Sequence, residues 1–227
     1  QDKIQAGLSV STIKQYVSAL NKLEKAINMH CEKQNWQERV SFKLEELKQE
    51  IQSIPKAELE ARAFFSPEQV INNLKSENHK LVAQAQLEGG FRISEINHLR
   101  LEQFKGIQKD PVSGEEKGKI EINRGSKGGK IRETFVSKET YERLEKAIQN
   151  NQDRRIEINK IAYNKDLKEA GIKAGDRQET SHALRHNFAQ NRVSECCQNG
   201  KTFEEAKQIV SLELGHNRPE ITEIYLR

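Results

Sequence analysis

Cysteine is scarce in this chain of 227 residues, and its placement excludes the chemistries cysteine usually carries. Cys31, Cys196 and Cys197 make an odd count, two are adjacent, and no C-x-x-C occurs. Neither a disulfide framework nor a zinc site is expected, and a reducing cytoplasmic compartment fits. Long apolar runs are missing too. No stretch approaches the roughly 20 residues of a membrane span, and no signal peptide is visible. Nor is there a strong net charge. The 38 Lys and Arg against 34 Asp and Glu leave +4, with a pI of about 8.8. Contact with nucleic acid would therefore need basic side chains gathered locally. There is no internal repeat and no low-complexity tract. What is present is polar but patterned: 34% hydrophobic and 32% charged residues, with apolar positions recurring periodically. That implies a folded, helix-rich chain rather than disorder. The length suits one large domain and a smaller one. The chain opens at Gln1, as a piece of a longer protein would.

Periodicity predicts a helix over Leu8 to His30, with Ser9 or Ser11 as cap and Ile13, Tyr16, Val17, Leu20, Leu23, Ala26 and Ile27 recurring at helical spacing. A second helix is predicted over Ser41 to Ile54, its stripe formed by Phe42, Leu44, Leu47, Ile51 and Ile54, ending at Pro55. Lys56 to Phe65 reads as a linker, placing a domain boundary near Arg62. Ser66-Pro67-Glu68-Gln69 opens a helix to about Lys75, and another covers Lys80 to Leu87. In G-G-F-R-I-S-E-I, Gly89 and Gly90 allow a sharp turn. Ser94 is the expected cap of a helix Glu95 to Leu99, with Arg92 just ahead of it. The period then changes. Strands are expected at Gln103 to Ile107, Lys119 to Asn123 and Lys130 to Val136, the last two joined by a Gly-rich turn holding Lys127. Ser137 caps a helix to about Asn150, and Tyr163 to Ala170 is helical. Thr202 to Glu205 is a capping box opening a helix through Leu214.

The most informative stretch begins at Thr180: T-S-H-A-L-R-H-N-F-A-Q, then L-E-L-G-H-N-R-P-E-I-T-E-I-Y-L-R. Thr180 or Ser181 is a good N-cap, and Ala183, Leu184, Phe188, Ala189 and Val193 keep helical spacing. His182 falls in the first turn, with Arg185 three residues on and on the same face. A helix N-terminus bearing His and Arg suits an anionic oxygen, phosphate above all. Gly215 reads as a helix end, which puts His216 at a turn. Pro219 suits the first position of a short helix that presents Tyr225.

This composite resembles the tyrosine recombinase (phage integrase) family. H-x-x-R, then L-G-H, then a tyrosine nine residues after the second histidine is that family's pattern, and Tyr225 stands nine residues after His216. Arg92 and Glu95 match its G-x-R-x-S-E motif. The resemblance implies a mainly α fold with a small antiparallel sheet (α+β). It implies a catalytic domain over 62–227, preceded by part of a helical core-binding, DNA-clamping domain and linker over 1–61. It further implies site-specific cleavage and rejoining of DNA through a 3′-phosphotyrosyl intermediate, with neither ATP nor metal and no cofactor. Tyr225 takes the nucleophile's place. Arg92, Arg185, His182 and His216 serve the phosphate, and Glu95 orients the site. Lys127 on the hairpin is the general acid, with Lys130 as runner-up. The implied partners are double-stranded DNA with paired recombination half-sites, further copies of the chain in a homotetramer on DNA, and accessory DNA-bending proteins. No membrane is implied, and the setting is the bacterial cytoplasm at the nucleoid. The resemblance departs at the end. Only Leu226 and Arg227 follow Tyr225, whereas many recombinases carry a longer tail that docks into a neighbouring subunit. Two other readings use the same residues: a type IB topoisomerase relaxing DNA as a monomer, and a non-catalytic DNA-binding relative.

The chemistry asks for residues of these types. Breaking a phosphodiester needs a nucleophile, neutralised charge at phosphorus and a proton for the leaving oxygen. A phenol, with an ordinary pKa of about 10, is a poor nucleophile at neutral pH without such help. Arginine offers forked donors to non-bridging oxygens, which lysine does not.

Overall fold

The structure, a computed structural model, describes residues 9–53, 61–216 and 219–226. It divides into two compact units, Gln1–Glu58 and Leu59–Arg227.

The first unit contains α1 (Val10–Lys33) and α2 (Leu44–Ser53). Ser9 caps α1, its hydroxyl accepting from the Thr12 N–H. Ile13 and Val17 of α1 pack against Leu44 and Ile51 of α2. The second helix starts later than its apolar pattern predicts. Lys43 adopts a positive φ and Phe42 stays partly exposed, so the chain turns just before Leu44. Leu8 and Ile54, predicted helix ends, lie outside the described residues.

The second unit begins with α3 (Pro67–Asn72), α4 (Glu77–Gly89) and α5 (Ile93–Asn97). A three-stranded antiparallel sheet follows, β1 (Phe104–Lys109), β2 (Glu116–Ile122) and β3 (Arg132–Val136), in the order β1-β2-β3. Helices α6 (Lys138–Asn150), α7 (Lys160–Lys173), α8 (His182–Gln198) and α9 (Phe203–Glu213) come next. A 3-10 turn, Pro219–Ile221, leads into the single-turn α10 (Thr222–Tyr225). Alternation decides which face of the sheet is buried. Ile120 and Ile122 of β2 and Arg132, Thr134 and Val136 of β3 all point inward, and the register sets Ile122 opposite Arg132. Helix α4 packs on α8 and β3, and α6 on β2. Val82, Phe91, Ile96, Leu144 and Leu184 lie in the resulting core. A second apolar cluster joins α8, α9 and α10 through Phe188, Val193, Val210, Leu214 and Tyr225.

Three predicted caps act differently. Ser66 makes no side-chain cap; its backbone N–H instead donates to Asp176 Oδ2 at 2.7 Å. Ser94 lies inside α5, and Arg92 takes the cap position because the Glu95 carboxylate reaches back to the Arg92 N–H, at 2.7 Å. Ser181 precedes α8 in helical conformation without a side-chain cap, its N–H donating to Asn164 Oδ1 at 3.1 Å. Ser137 and Thr202 cap α6 and α9, and the Thr202–Glu205 capping box is formed. One buried charge network ties the β1–β2 turn to two helices: Arg192 donates to Asp110, Glu195 and Glu213, and Lys117 to Asp110 and Glu195.

Candidate active site

Two chain reversals place the site. At the first, α4 ends on Gly90 with φ +59, and a Cβ there would stand 2.5 Å from the Phe188 ring. Only glycine fits, and the reversal delivers Arg92 to the start of α5. The second ends α9 at Leu214 and Gly215, the latter with φ +70, and delivers His216. Its backbone N–H donates to Ser211 O at 2.8 Å. Helix α8 runs between these turns and carries His182, Arg185 and His186 on one face.

Arg185 is 1% exposed. Its two terminal nitrogens donate to the backbone carbonyls of Gly90 and Leu214, one from each reversal. Arg92 binds Glu95 Oε1 at 2.8 Å. Its other terminal nitrogen lies 3.4 Å from Leu214 O and 3.5 Å from His216 Nε2. Glu95 is fully buried and also accepts from Arg132 at 2.8 Å. Tyr225, 7% exposed, packs at a tilt among a group of imidazoles. Its ring centroid lies 5.5 Å from His182, 4.6 Å from His186 and 5.4 Å from His216, and the Arg185 guanidinium carbon is 5.9 Å from it.

The residues predicted from sequence thus meet in space: Arg92, Glu95, His182, Arg185, His216 and Tyr225. The backbone of Lys127 lies in a 3-10 turn, Lys127–Gly129, between β2 and β3; its side chain falls outside the described atoms. Lys130 sits one step along, where its charge acts on His216. Sequence reasoning missed two members, Arg132 and His186. His186 follows His182 by one helical turn, and Arg132 shares the inward phase of β3 with Thr134 and Val136. Both signals were periodicities.

The electrostatics have one sign. Burial, then the charges of Arg132 and Arg92, brings Arg185 down to about 9. Burial lowers His216 to about 4, helped by Arg185 and Arg92. His182, whose outer edge meets solvent, also falls to about 4 through partial burial of its ring and then His186 and Arg185. His186 falls to about 4, again chiefly by burial. Burial alone would raise Glu95, but Arg132 and the Arg92 N–H outweigh it and hold the carboxyl below its usual value. Burial and the neighbouring guanidiniums thus favour the unprotonated imidazoles, while the guanidiniums repel one another. Among the described residues, Nε of Arg185 and Arg132 and Nδ1 of His186 and His216 are buried without a hydrogen-bond partner. Unsatisfied buried polar atoms are costly, and four of them belong to residues of this site. An adjoining cleft of about 490 Å³ is lined by Arg92, His182 and Arg185 together with Ser94, Lys160 and Asn164. The arrangement suits an oxyanion with several oxygens. Among the described residues no group of three or more His, Cys, Asp or Glu is placed to hold a metal, and no helix is long and apolar enough to cross a membrane.

Known structures share this fold. The recombinase XerH, bound to a palindromic difH substrate in a post-cleavage complex, superposes with a TM-score of 0.64 at 19% identity, over 97% of this chain and 62% of that one. The Tn1549 transposon integrase in complex with circular intermediate DNA gives 0.62 at 14% identity, over 100% and 78%. A lambda integrase dimer bound to a COC′ core site gives 0.56 at 12% identity, over 97% and 65%. The chain thus spans about three fifths of the XerH chain, and at these identities the likeness is one of fold. No curated protein matches the sequence. The phage integrase family matches residues 63–227, which hold every predicted site residue, and it is to this family that the chain belongs.

Proposed function

We propose that the chain is a site-specific DNA recombinase that cleaves and rejoins strands through Tyr225. The observation that supports this most is the packing of the Tyr225 ring among three imidazoles and beside the buried guanidinium of Arg185. A phosphate seated there would meet the spare donors of Arg185, the Arg92 guanidinium and His216, all aimed where negative charge grows in the transition state. The Tyr225 oxygen attacks phosphorus, and its proton passes to an imidazole, His182 being at the open edge. The bond from phosphorus to the 5′-oxygen breaks as the new one forms, leaving a 3′-phosphotyrosyl link. A lysine of the β2–β3 turn, Lys127 or its neighbour Lys130, supplies the proton to the departing 5′-oxygen. A 5′-hydroxyl from a partner strand then reverses these steps. Bond energy is held in the covalent link, so the reaction needs no ATP, and the arginines offset the phosphate's negative charge as a metal otherwise would.

The partner in this reading is double-stranded DNA with paired half-sites, bound by four copies of the chain, with DNA-bending proteins as accessories. Residues 1–61 act as a DNA clamp in this reading. The test is a nicked suicide duplex built from the DNA flanking the gene. The native protein should form a protease-sensitive covalent adduct. Tyr225→Phe, which removes the attacking oxygen and little volume, should bind the same DNA and form none. Adduct formation by the Phe variant would refute the assignment. A two-site recombination assay separates this function from relaxation by a type IB topoisomerase.

A further inference from the structure

We propose that Arg132 is a positioning residue that sets the Arg92 and Arg185 guanidiniums and links them to the β2–β3 hairpin. The inference rests on the phosphoryl-transfer reading above. Arg132 is the first residue of β3 and is 6% exposed. It donates to Glu95 Oε2 at 2.8 Å, to Gly90 O at 3.2 Å and to Glu213 O. Each acceptor leads to a site arginine. Glu95 holds the Arg92 backbone and side chain. Gly90 O is also an acceptor for Arg185. Glu213 precedes Leu214, whose carbonyl takes Arg185 and Arg92. The side chain lies against the second reversal as well, since a Cβ on Gly215 would stand 3.2 Å from Arg132 Cδ.

Stability alone does not account for this residue. Glu95 is a single carboxylate facing both Arg92 and Arg132, so the cluster keeps unbalanced positive charge. Buried ion pairs are often replaced by apolar side chains without loss of stability. A guanidinium here nonetheless does what no apolar side chain can: it fixes three acceptors from three elements with one planar fork. It also does so at the hairpin, two residues after Lys130 and five after Lys127. A shift of that hairpin on DNA would therefore reach Arg92 and Arg185 through Arg132.

The test compares single-turnover cleavage of the suicide duplex at saturating DNA for the native protein, Arg132→Lys, Arg92→Ala and the double variant. Lysine keeps the charge but cannot span the three acceptors. A displacement near 1 Å is worth on the order of 10²-fold, so Arg132→Lys should cleave about 10²-fold more slowly with DNA affinity nearly intact. The share of that loss that passes through Arg92 should vanish in the Arg92→Ala background, so the two losses should combine to less than their product. Native-like cleavage by Arg132→Lys, or losses that multiply, would overturn the inference. A second measurement uses the native protein, so that an unfolded variant leaves the question open to decision. With ¹⁵N-labelled arginine, orthovanadate should move the Nε resonance of Arg132 together with those of Arg92 and Arg185. A stationary Arg132 beside a shifting Arg185 would equally overturn it. Absence of any adduct from the native protein would instead be a failure of the recombinase reading.

Discussion

Lowering the pH from about 7.5 to about 5 should weaken the fold, and one buried side chain should account for a definite share of the loss. His186 is 2% exposed. It faces the Tyr225 ring and the His182 ring, and the charges of Arg62 and Arg185 act on it. Its pKa falls from 6.5 to about 4 on folding, chiefly through burial, with the neighbouring positive charges adding to the effect. Between those values the unfolded chain binds a proton that the folded chain refuses, so stability rises with pH across the window. It is fully present above 6.5 and drains away as pH falls toward 4. For that pair of values, linkage gives about 2 kcal/mol lost per such histidine between about pH 7.5 and about pH 5. His216 contributes in the same direction, and His182, being open to solvent, contributes less. Urea unfolding followed by far-UV circular dichroism at several pH values measures this. In His186→Phe the loss over the same range should be smaller by about 2 kcal/mol. Bound DNA should also blunt the loss, because a phosphate among these cations favours protonated imidazoles. A flat stability between the two pH values, or an unchanged slope in His186→Phe, would refute the reasoning.

Two further outcomes are expected. Lys127→Ala should cleave ordinary DNA on the order of 10²–10⁴-fold more slowly and recover on a substrate whose bridging 5′-oxygen is sulfur, since that leaving group needs no proton. Rescue of Lys130→Ala instead, with Lys127→Ala still slow, would move the acid to Lys130. Deleting residues 1–58 should weaken DNA binding and flatten its salt dependence, because each lost phosphate contact removes roughly 0.9 from the log–log slope. An unchanged affinity and slope would refute the clamp.

The elements were legible in the sequence where apolar period and local chemistry agreed, as in α1, α6 and α9. The caps were less so. Ser66, Ser94 and Ser181 are each of a type that caps helices, but the partner that decides sits elsewhere: Asp176, Glu95 and Asn164 respectively. The site residues in a recognisable spacing were found, because that spacing is itself local. Arg132 was not, since a charged residue on a short strand reads as exposed until its register against Ile122 is known. His186 stood within the quoted motif, and only the approach of Tyr225, from the far end of the chain, gives it meaning. The network around Arg192 and Asp110 joins residues 82 apart in sequence and has no local signal at all.

The two carbonyls that Arg185 grips belong to the C-terminal ends of α4 and α9. Helix ends leave such carbonyls without partners and carry partial negative charge. The site arginines therefore cap helices as well as line the proposed phosphate site. Active-site residues commonly burden the fold that carries them, so that losing them makes a protein more stable. Here the relation is reversed for the arginines, because their loss would open two helix ends in the core. A descendant that gave up strand cleavage and kept only DNA binding would still be under selection to retain Arg185 and Arg92, which hold those carbonyls. Their presence in a relative thus speaks for the fold. It is the Tyr225 hydroxyl, which a change to phenylalanine removes while the buried ring keeps its packing, that can be lost cheaply, and under the proposed function it would record whether the chemistry is still in use.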